Sequence, residues 1–178
     1  KIMVAAGACP QGQGHETVFA QFAADMWKVP IEDVYVSVAD TGQVTQGYGT
    51  IASRSTVTAS GAIKIASDEV QEKAFSIAAN MLETAESDLE MRNSGIGVQG
   101  VPDMHVTWRE IARAAKPGWD NKRPEGVAAG LESTSYYEPP TVTWAYAANA
   151  AVVEVDPETG QLKIEKYVEV HDAGVLVN

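Results

Sequence analysis

The longest periodic stretch of the chain, residues 53–83, limits what can be built around it. Ile63, Ala66, Val70, Ala74, Ile77, Ala78 and Met81 recur at helical spacing, so a long helix must lay one stripe against a core. Its two ends differ. Between residues 52 and 62 nearly every side chain is small (ASRSTVTASGA), which lets another backbone or a ligand approach closely, whereas the second half packs through larger groups.

The rest of the chain supplies partners for that helix. Residues 2–6 (IMVAA) read as a strand and residues 16–28 as a helix whose Val18, Phe19, Phe22, Met26 and Trp27 share a face, ended by Pro30. Residues 34–38 (VYVSV) alternate as a second strand, followed by the loop DTGQVTQGYGT. LEMR and GIGVQ flank Asn93, Ser94 and Gly95 as a hairpin, and residues 108–115 form a short helix. Residues 116–130 are a loop by composition. The stretch NAAVVEVDPETGQLKIEKYVEV alternates on both sides of Asp156-Pro157-Glu158-Thr159-Gly160, the strongest hairpin signal present. The expected class is α+β, with long helices packed on a mixed or antiparallel sheet. We expect one domain of two lobes, 1–83 and a hairpin-rich 84–178.

A net charge of −11 opposes any general affinity for nucleic acid or an anionic membrane surface. No apolar run approaches the ~18 residues of a membrane-spanning helix, and no signal-peptide layout opens the chain, so a soluble, cytoplasmic protein is expected. Cys9 is the single cysteine, which excludes an intrachain disulfide. The chain opens at Lys1 and stops after the apolar run VLV, from which we expect a piece of a longer polypeptide.

Two glycine-rich places invite a ligand. Gly12 and Gly14 stand between the first strand and the first helix, where unpaired helix N–H groups face a loop open enough for an anion. A dinucleotide fingerprint fails in detail there, because Thr17 replaces the third glycine and Asp40 lies too far downstream for a ribose-binding acid. The second place, YGTIASRST at residues 48–56, puts four hydroxyls and one guanidinium at the start of the long helix within seven residues. Hydroxyls there commonly serve only the orphan amides. Arg54 argues for more, since a guanidinium at a helix N-terminus opposes the dipole unless an anion or carboxylate offsets it. Both N-termini can face one phosphate group.

Other chemistry is thinner. Cys9 beside His15 lacks an orienting partner for a thiol nucleophile, and His15, His105 and His171 lack the paired spacing of a zinc site. Glu154, Glu165 and Glu169 of the last hairpin read as a solvated face.

Taken together, Gln11-Gly12-Gln13-Gly14-His15-Glu16-Thr17, Tyr48-Gly49-Thr50-Ile51-Ala52-Ser53-Arg54-Ser55-Thr56 and TWAYAANAAVVEVDPETGQLKIEKYVEVHDAG resemble the large, molybdopterin-binding subunit of the xanthine oxidase family of molybdenum hydroxylases. The resemblance is strongest to the carbon monoxide dehydrogenase large-subunit and aldehyde oxidase branch. It runs along most of the chain, with little from residues 84–130. It implies part of a molybdopterin-binding domain, in which Gln11, Gly12, Gln13 and Gly14 wrap the pterin and phosphate portion of the cofactor. Thr50, Ala52, Ser53, Arg54 and Ser55 would supply amides and hydroxyls to the same group.

The resemblance further implies a molybdopterin cytosine dinucleotide cofactor carrying molybdenum, with copper only in a true carbon monoxide dehydrogenase. Iron–sulfur clusters and FAD would sit on partner subunits, in a homo-oligomer of heterotrimers. The reaction would be oxidative hydroxylation of an aldehyde or heterocycle, or oxidation of CO, at a small-molecule site. No catalytic residue or metal ligand is expected within this chain, because the family's catalytic glutamate and active-site loop fall outside the matching region, so it should be inactive alone. Asn149 stands where relatives often have His, and Ala173 where they often have Cys. The competing readings are a cofactor-free binding or assembly module on the same scaffold, and an NAD-binding dehydrogenase domain.

Overall fold

A computed structural model describes residues 1–118 and 123–177. Two units result, Lys1–Pro139 and Pro140–Val177.

The first unit opens with strand β1 (Ile2–Ala6), helix α1 (His15–Trp27) and strand β2 (Val34–Val38), with β2 parallel to β1 and Ile2 opposite Val34. Helix α1 turns Phe19, Ala20, Ala23, Ala24 and Trp27 inward, so alanines let it lie close while Phe19 and Trp27 fill the space. Lys28 ends it in the left-handed conformation at φ 47, just ahead of Pro30.

Helix α2 (Ser55–Leu82) is 28 residues, about 42 Å at 1.5 Å per residue, long enough to serve two cores. Its first half contributes Ile63 to a cluster with Ala6, Ala8 and Phe19. The second half contributes Ala74, Ile77, Ala78 and Ala79 to a larger cluster with Leu89, Ile96, Val106 and Ile111. Those last residues come from an antiparallel sheet of β3 (Leu89–Arg92), β4 (Gly95–Val98) and β5 (His105–Thr107), and from helix α3 (Trp108–Ala114). Fully burying Ile77 or Ile96 contributes roughly 1.5–3 kcal/mol each, so this second core anchors the long helix.

Between the two clusters, Trp27 meets Trp108 edge-on with ring centroids 5.3 Å apart and donates its Nε1–H to Ser67 Oγ at 3.2 Å. Arg92 holds the β4–β5 connection, its guanidinium donating to the carbonyls of Val98 (2.6 Å), Val101 and Pro102. The small-residue face of α2 is met by the chain near residue 135. Ser135 Oγ donates to Ala62 O at 2.6 Å, and the Tyr137 ring lies where any side chain on Gly61 would have to go.

The second unit is one antiparallel hairpin, β6 (Tyr146–Val155) and β7 (Leu162–Asp172), with Val155 opposite Leu162 and a bulge at Val152/Val153. Its turn is ordered by Asp156, whose carboxylate accepts from the backbone N–H groups of Glu158 and Thr159. Those bonds, first of all the one from Glu158, hold its pKa below the ordinary aspartate value.

The helices, strands and hairpins expected from periodicity are present, and strand β5 is an addition, too short at three residues to show alternation. The small sheets are two parallel strands, three antiparallel strands and a hairpin, an α+β arrangement. Of the expected loop 116–130, residues 119–122 lie outside the described residues. Glu154, Glu165 and Glu169 are all exposed, as expected, but they do not share one face. Glu154 is opposite Lys163 and Glu169 opposite Asn149, an odd number of residues apart along β6, while Glu165 is the bulge residue. Among the described residues no helix is long and apolar enough to cross a membrane.

Candidate functional site

The chain leaves β1 at Ala6 and β2 at Val38, and both extensions return to one place. After β2, Asp40 closes a turn by accepting from the Gly42 N–H at 2.9 Å and the Gln43 Nε2 at 2.7 Å, one partner on each carboxylate oxygen. Both oxygens are thereby engaged within their own loop, which weighs against a ribose-binding role. The chain then reaches Gly47, which lies directly against Gly7. A Cβ on Gly7 would stand 2.5 Å from the Gln46 carbonyl oxygen and 2.6 Å from the Gly47 Cα. Only two glycines allow the backbones to cross so closely.

Two residues further on, Cys9 and Gly49 form a parallel bridge. Thr50 Oγ1 donates to the Cys9 carbonyl at 2.5 Å, and Ser55 Oγ donates to Thr50 Oγ1 at 3.2 Å, so the first residue of α2 is tied through one hydroxyl to the opposite loop. Arg54 folds back, donating through Nη2 to the Gly49 carbonyl at 3.1 Å with its guanidinium 5.1 Å from the Tyr48 ring centroid. This answers part of the question its position raised. Among the described residues Arg54 meets a neutral carbonyl and a π face and no carboxylate, so the N-terminal charge of α2 is not offset by an acid of the chain.

Beyond these ties the two segments are open. Gly12 (φ 101) and Gly14 (φ 74) take left-handed conformations with nothing within 4 Å of a Cβ built on either. Gln13 is exposed, its Oε1 accepting from the Gln11 N–H at 2.6 Å. Ala52 and Ser53 are both left-handed at φ 53, an uncommon state for two successive non-glycine residues and one that costs about 1–2 kcal/mol each. Thr50 and Arg54 are half-buried, Ser55 is buried, and Gln11, Ala52 and Ser53 are exposed.

Neither long helix uses a side-chain cap: α1 begins from Gly14 and α2 from Arg54, each without one. The hydroxyls of the second segment therefore do not serve the orphan amides. Helix α3 shows the contrast, with a full capping box in which Thr107 and Glu110 satisfy each other's backbone N–H. Neither 7–14 nor 47–55 contains an acidic residue, although the chain has 24. The donor set is thus backbone amides, hydroxyls, the two carboxamides of Gln11 and Gln13 and one guanidinium, a chemistry that fits a phosphate-bearing group.

His15 lies beneath the first segment, 3% exposed and stacked on Phe19 at 5.3 Å, its Nδ1 without a partner. An open groove of about 1980 Å³ runs along β1 and α2; it takes in Gly47, Tyr48, Gly49, Arg54 and Ser55 but not Gln11 to Gly14. The groove therefore reaches the first segment only at Gly7 and Ala8, and the bridge at Cys9 is what places Gln11 to Gly14 beside it. Sequence reasoning missed Gly7, Gly47 and the Cys9 backbone. The readable signal was that each segment has a further glycine two residues before the bridge.

The sequence pattern described as molybdopterin cofactor-binding domain matches residues 1–178. The chain belongs to that family.

Among curated relatives, the chain is 35% identical over 99% of its length to the carbon monoxide dehydrogenase large chain of Afipia carboxidovorans and spans 21% of that protein. It is likewise 35% identical over 99% of its length to the nicotine 6-hydroxylase large subunit of Paenarthrobacter nicotinovorans, spanning 22% of it. Among solved structures, a reconstituted CO dehydrogenase from Oligotropha carboxidovorans superposes with a TM-score of 0.81 at 36% identity, covering 96% of this chain and 21% of that one. Quinoline 2-oxidoreductase from Pseudomonas putida 86 superposes with a TM-score of 0.82 at 33% identity, covering 99% and 22%. The chain thus spans about a fifth of the length of the relatives it matches, as expected of a portion of a larger subunit.

Proposed function

We propose that the segments 11–14 and 50–55 form two walls around the pterin and phosphate portion of a molybdopterin cofactor, in its cytosine dinucleotide form. The observation that carries this reading is the pairing of two uncapped helix N-termini, tied together at Cys9 and Gly49, within stretches free of acid. Gln11, Gly12, Gln13 and Gly14 would approach the anion through main-chain N–H groups and the Gln13 carboxamide. Thr50, Ala52, Ser53 and Ser55 would add amides and hydroxyls, and Arg54 the single positive charge. Preorganisation favours binding, since the Gly7–Gly47 crossing and the Thr50–Ser55 pair fix the donors before any ligand arrives.

When bound, the cofactor supplies the oxidation–reduction chemistry at molybdenum. The chain's own part is to bind and orient that group. The parent protein would then be a cytoplasmic molybdenum-dependent oxidoreductase that hydroxylates an aldehyde or heterocycle or oxidises CO, with iron–sulfur and flavin subunits as partners in a homo-oligomer of heterotrimers. The names of the relatives, which include CO, nicotine and quinoline oxidising enzymes, support that range.

The test is substitution in the complete parent subunit. Gln13→Ala and Ser55→Ala should each lower molybdenum and releasable cytidine monophosphate at least several-fold relative to protein, with the circular dichroism spectrum retained. Wild-type content of both in both variants would count against the assignment.

A further inference from the structure

Tyr48 stands between two glycines that are both held in place. Gly47 lies against Gly7, and Gly49 is bridged to Cys9, so the backbone fixes where the Tyr48 side chain starts. Its ring is 64% exposed, with the hydroxyl accepting from Gln46 Nε2 at 3.4 Å. Over that ring lies the Arg54 guanidinium, its central carbon 5.1 Å from the ring centroid. Between the two partners the chain doubles back through Ala52 and Ser53, both left-handed at φ 53, and the Arg54 N–H donates to the Ile51 carbonyl at 3.3 Å. The Gly49 carbonyl gives Arg54 a second hold at 3.1 Å. Among the described residues that carbonyl takes one of the five guanidinium N–H donors, and the other four stay available.

Arg54 is also the single charged side chain in residues 7–14 and 47–55. A carboxylate in the place of Tyr48 would hold it too, but would cancel its charge and take the donors that a phosphate needs. An aromatic face holds a cation without consuming any hydrogen-bond donor. We propose that Tyr48 is a positioning residue for the cofactor: its ring keeps the Arg54 side chain ordered before the phosphate portion of that group arrives. A flexible arginine loses rotamer freedom when it meets its ligand, whereas one already laid on a fixed ring has lost it on folding. This inference rests on the proposed role of residues 50–55 as a cofactor wall and adds to it a residue that acts only through Arg54.

A mutant cycle in the complete, cofactor-loaded parent subunit tests it, using Tyr48→Leu, Tyr48→Phe, Arg54→Gln and the combination of Tyr48→Leu with Arg54→Gln. Molybdenum and releasable cytidine monophosphate per protein are followed during warming below the melting temperature, with folding checked by circular dichroism. Arg54→Gln should shorten the half-time of cofactor loss several-fold. Tyr48→Leu should shorten it roughly two- to fivefold, the worth of a cation–π contact, and Tyr48→Phe should leave it unchanged. The double variant should lose cofactor no faster than Arg54→Gln alone. A tyrosine that only stabilised the loop would add its own loss to that of Arg54→Gln, so additive effects would overturn the proposal. Equal losses in Tyr48→Phe and Tyr48→Leu would do the same, as would a wild-type half-time in Tyr48→Leu beside a shortened one in Arg54→Gln. A wild-type half-time in Arg54→Gln is a different result: it removes Arg54 from the cofactor wall and the proposal with it.

Discussion

Replacing Gly7 by Ala should be among the most damaging single-methyl additions possible in this chain. The added Cβ would lie 2.5 Å from the Gln46 carbonyl oxygen and 2.6 Å from the Gly47 Cα, against an ordinary separation of 3.4–4 Å. Both opposing atoms are main chain, so no rotamer change relieves the overlap and one backbone must shift by roughly 1 Å. Overpacking of this kind costs about 1–3 kcal/mol, and the upper end applies where nothing flexible can yield. At 2–4 °C per kcal/mol for a chain of this size, the melting temperature should fall by roughly 6–12 °C. Gly49→Ala is the control, because that residue lies on the same bridge yet has open space around its Cβ position and no positive φ. Its effect should stay within about 0.5 kcal/mol. Thermal unfolding of the two variants by circular dichroism decides the matter. Equal melting temperatures would refute the reasoning that a tight backbone crossing fixes the two segments.

Further outcomes follow from the same geometry. Thr107→Ala removes the N-cap of α3 and should cost about 1 kcal/mol in chemical denaturation. Bonds from the backbone and side chain of Thr107 hold the Glu110 pKa below the ordinary glutamate value, so its contribution to the cap is present above the unfolded-state pKa and disappears as pH falls through the lower folded value. In an acid titration the Thr107 and Glu110 amide resonances should move together in that window, and Glu110→Gln should flatten the response. Arg92→Leu leaves the carbonyls of Val98, Val101 and Pro102 without their shared donor; water can reach those of Val101 and Pro102, so a loss of about 1 kcal/mol is expected in denaturant midpoints at unchanged slope.

Much of the fold was legible because its elements are periodic or punctuated. Helix α2 reads from the recurrence of Ile63, Ala74 and Ile77, and the last hairpin from alternation around Asp156 to Gly160. The candidate site was legible as two separate segments, through glycines for the first and hydroxyls with Arg54 for the second. Their adjacency was not, because it depends on the Gly7–Gly47 crossing and the Cys9–Gly49 bridge, contacts between residues some 40 positions apart that leave no periodic trace. Strand β5 is too short to alternate, and the register of the hairpin shifts at one bulge at Val152/Val153, which a reading of alternation alone passes over. Arg54 shows the remaining limit: its position marked an unbalanced charge, but its rest on Tyr48 and the Gly49 carbonyl depends on the folded loop and leaves no sequence signal.

The most direct measurement is elemental analysis of the purified, complete parent subunit for molybdenum, with mass spectrometry for cytidine monophosphate after acid release. Molybdenum and nucleotide in near-equal amounts, both reduced in the Gln13→Ala variant, are the expected result. A folded subunit containing neither, or one whose content is the same with and without Gln13, would contradict the assignment of these two segments as the walls of the cofactor.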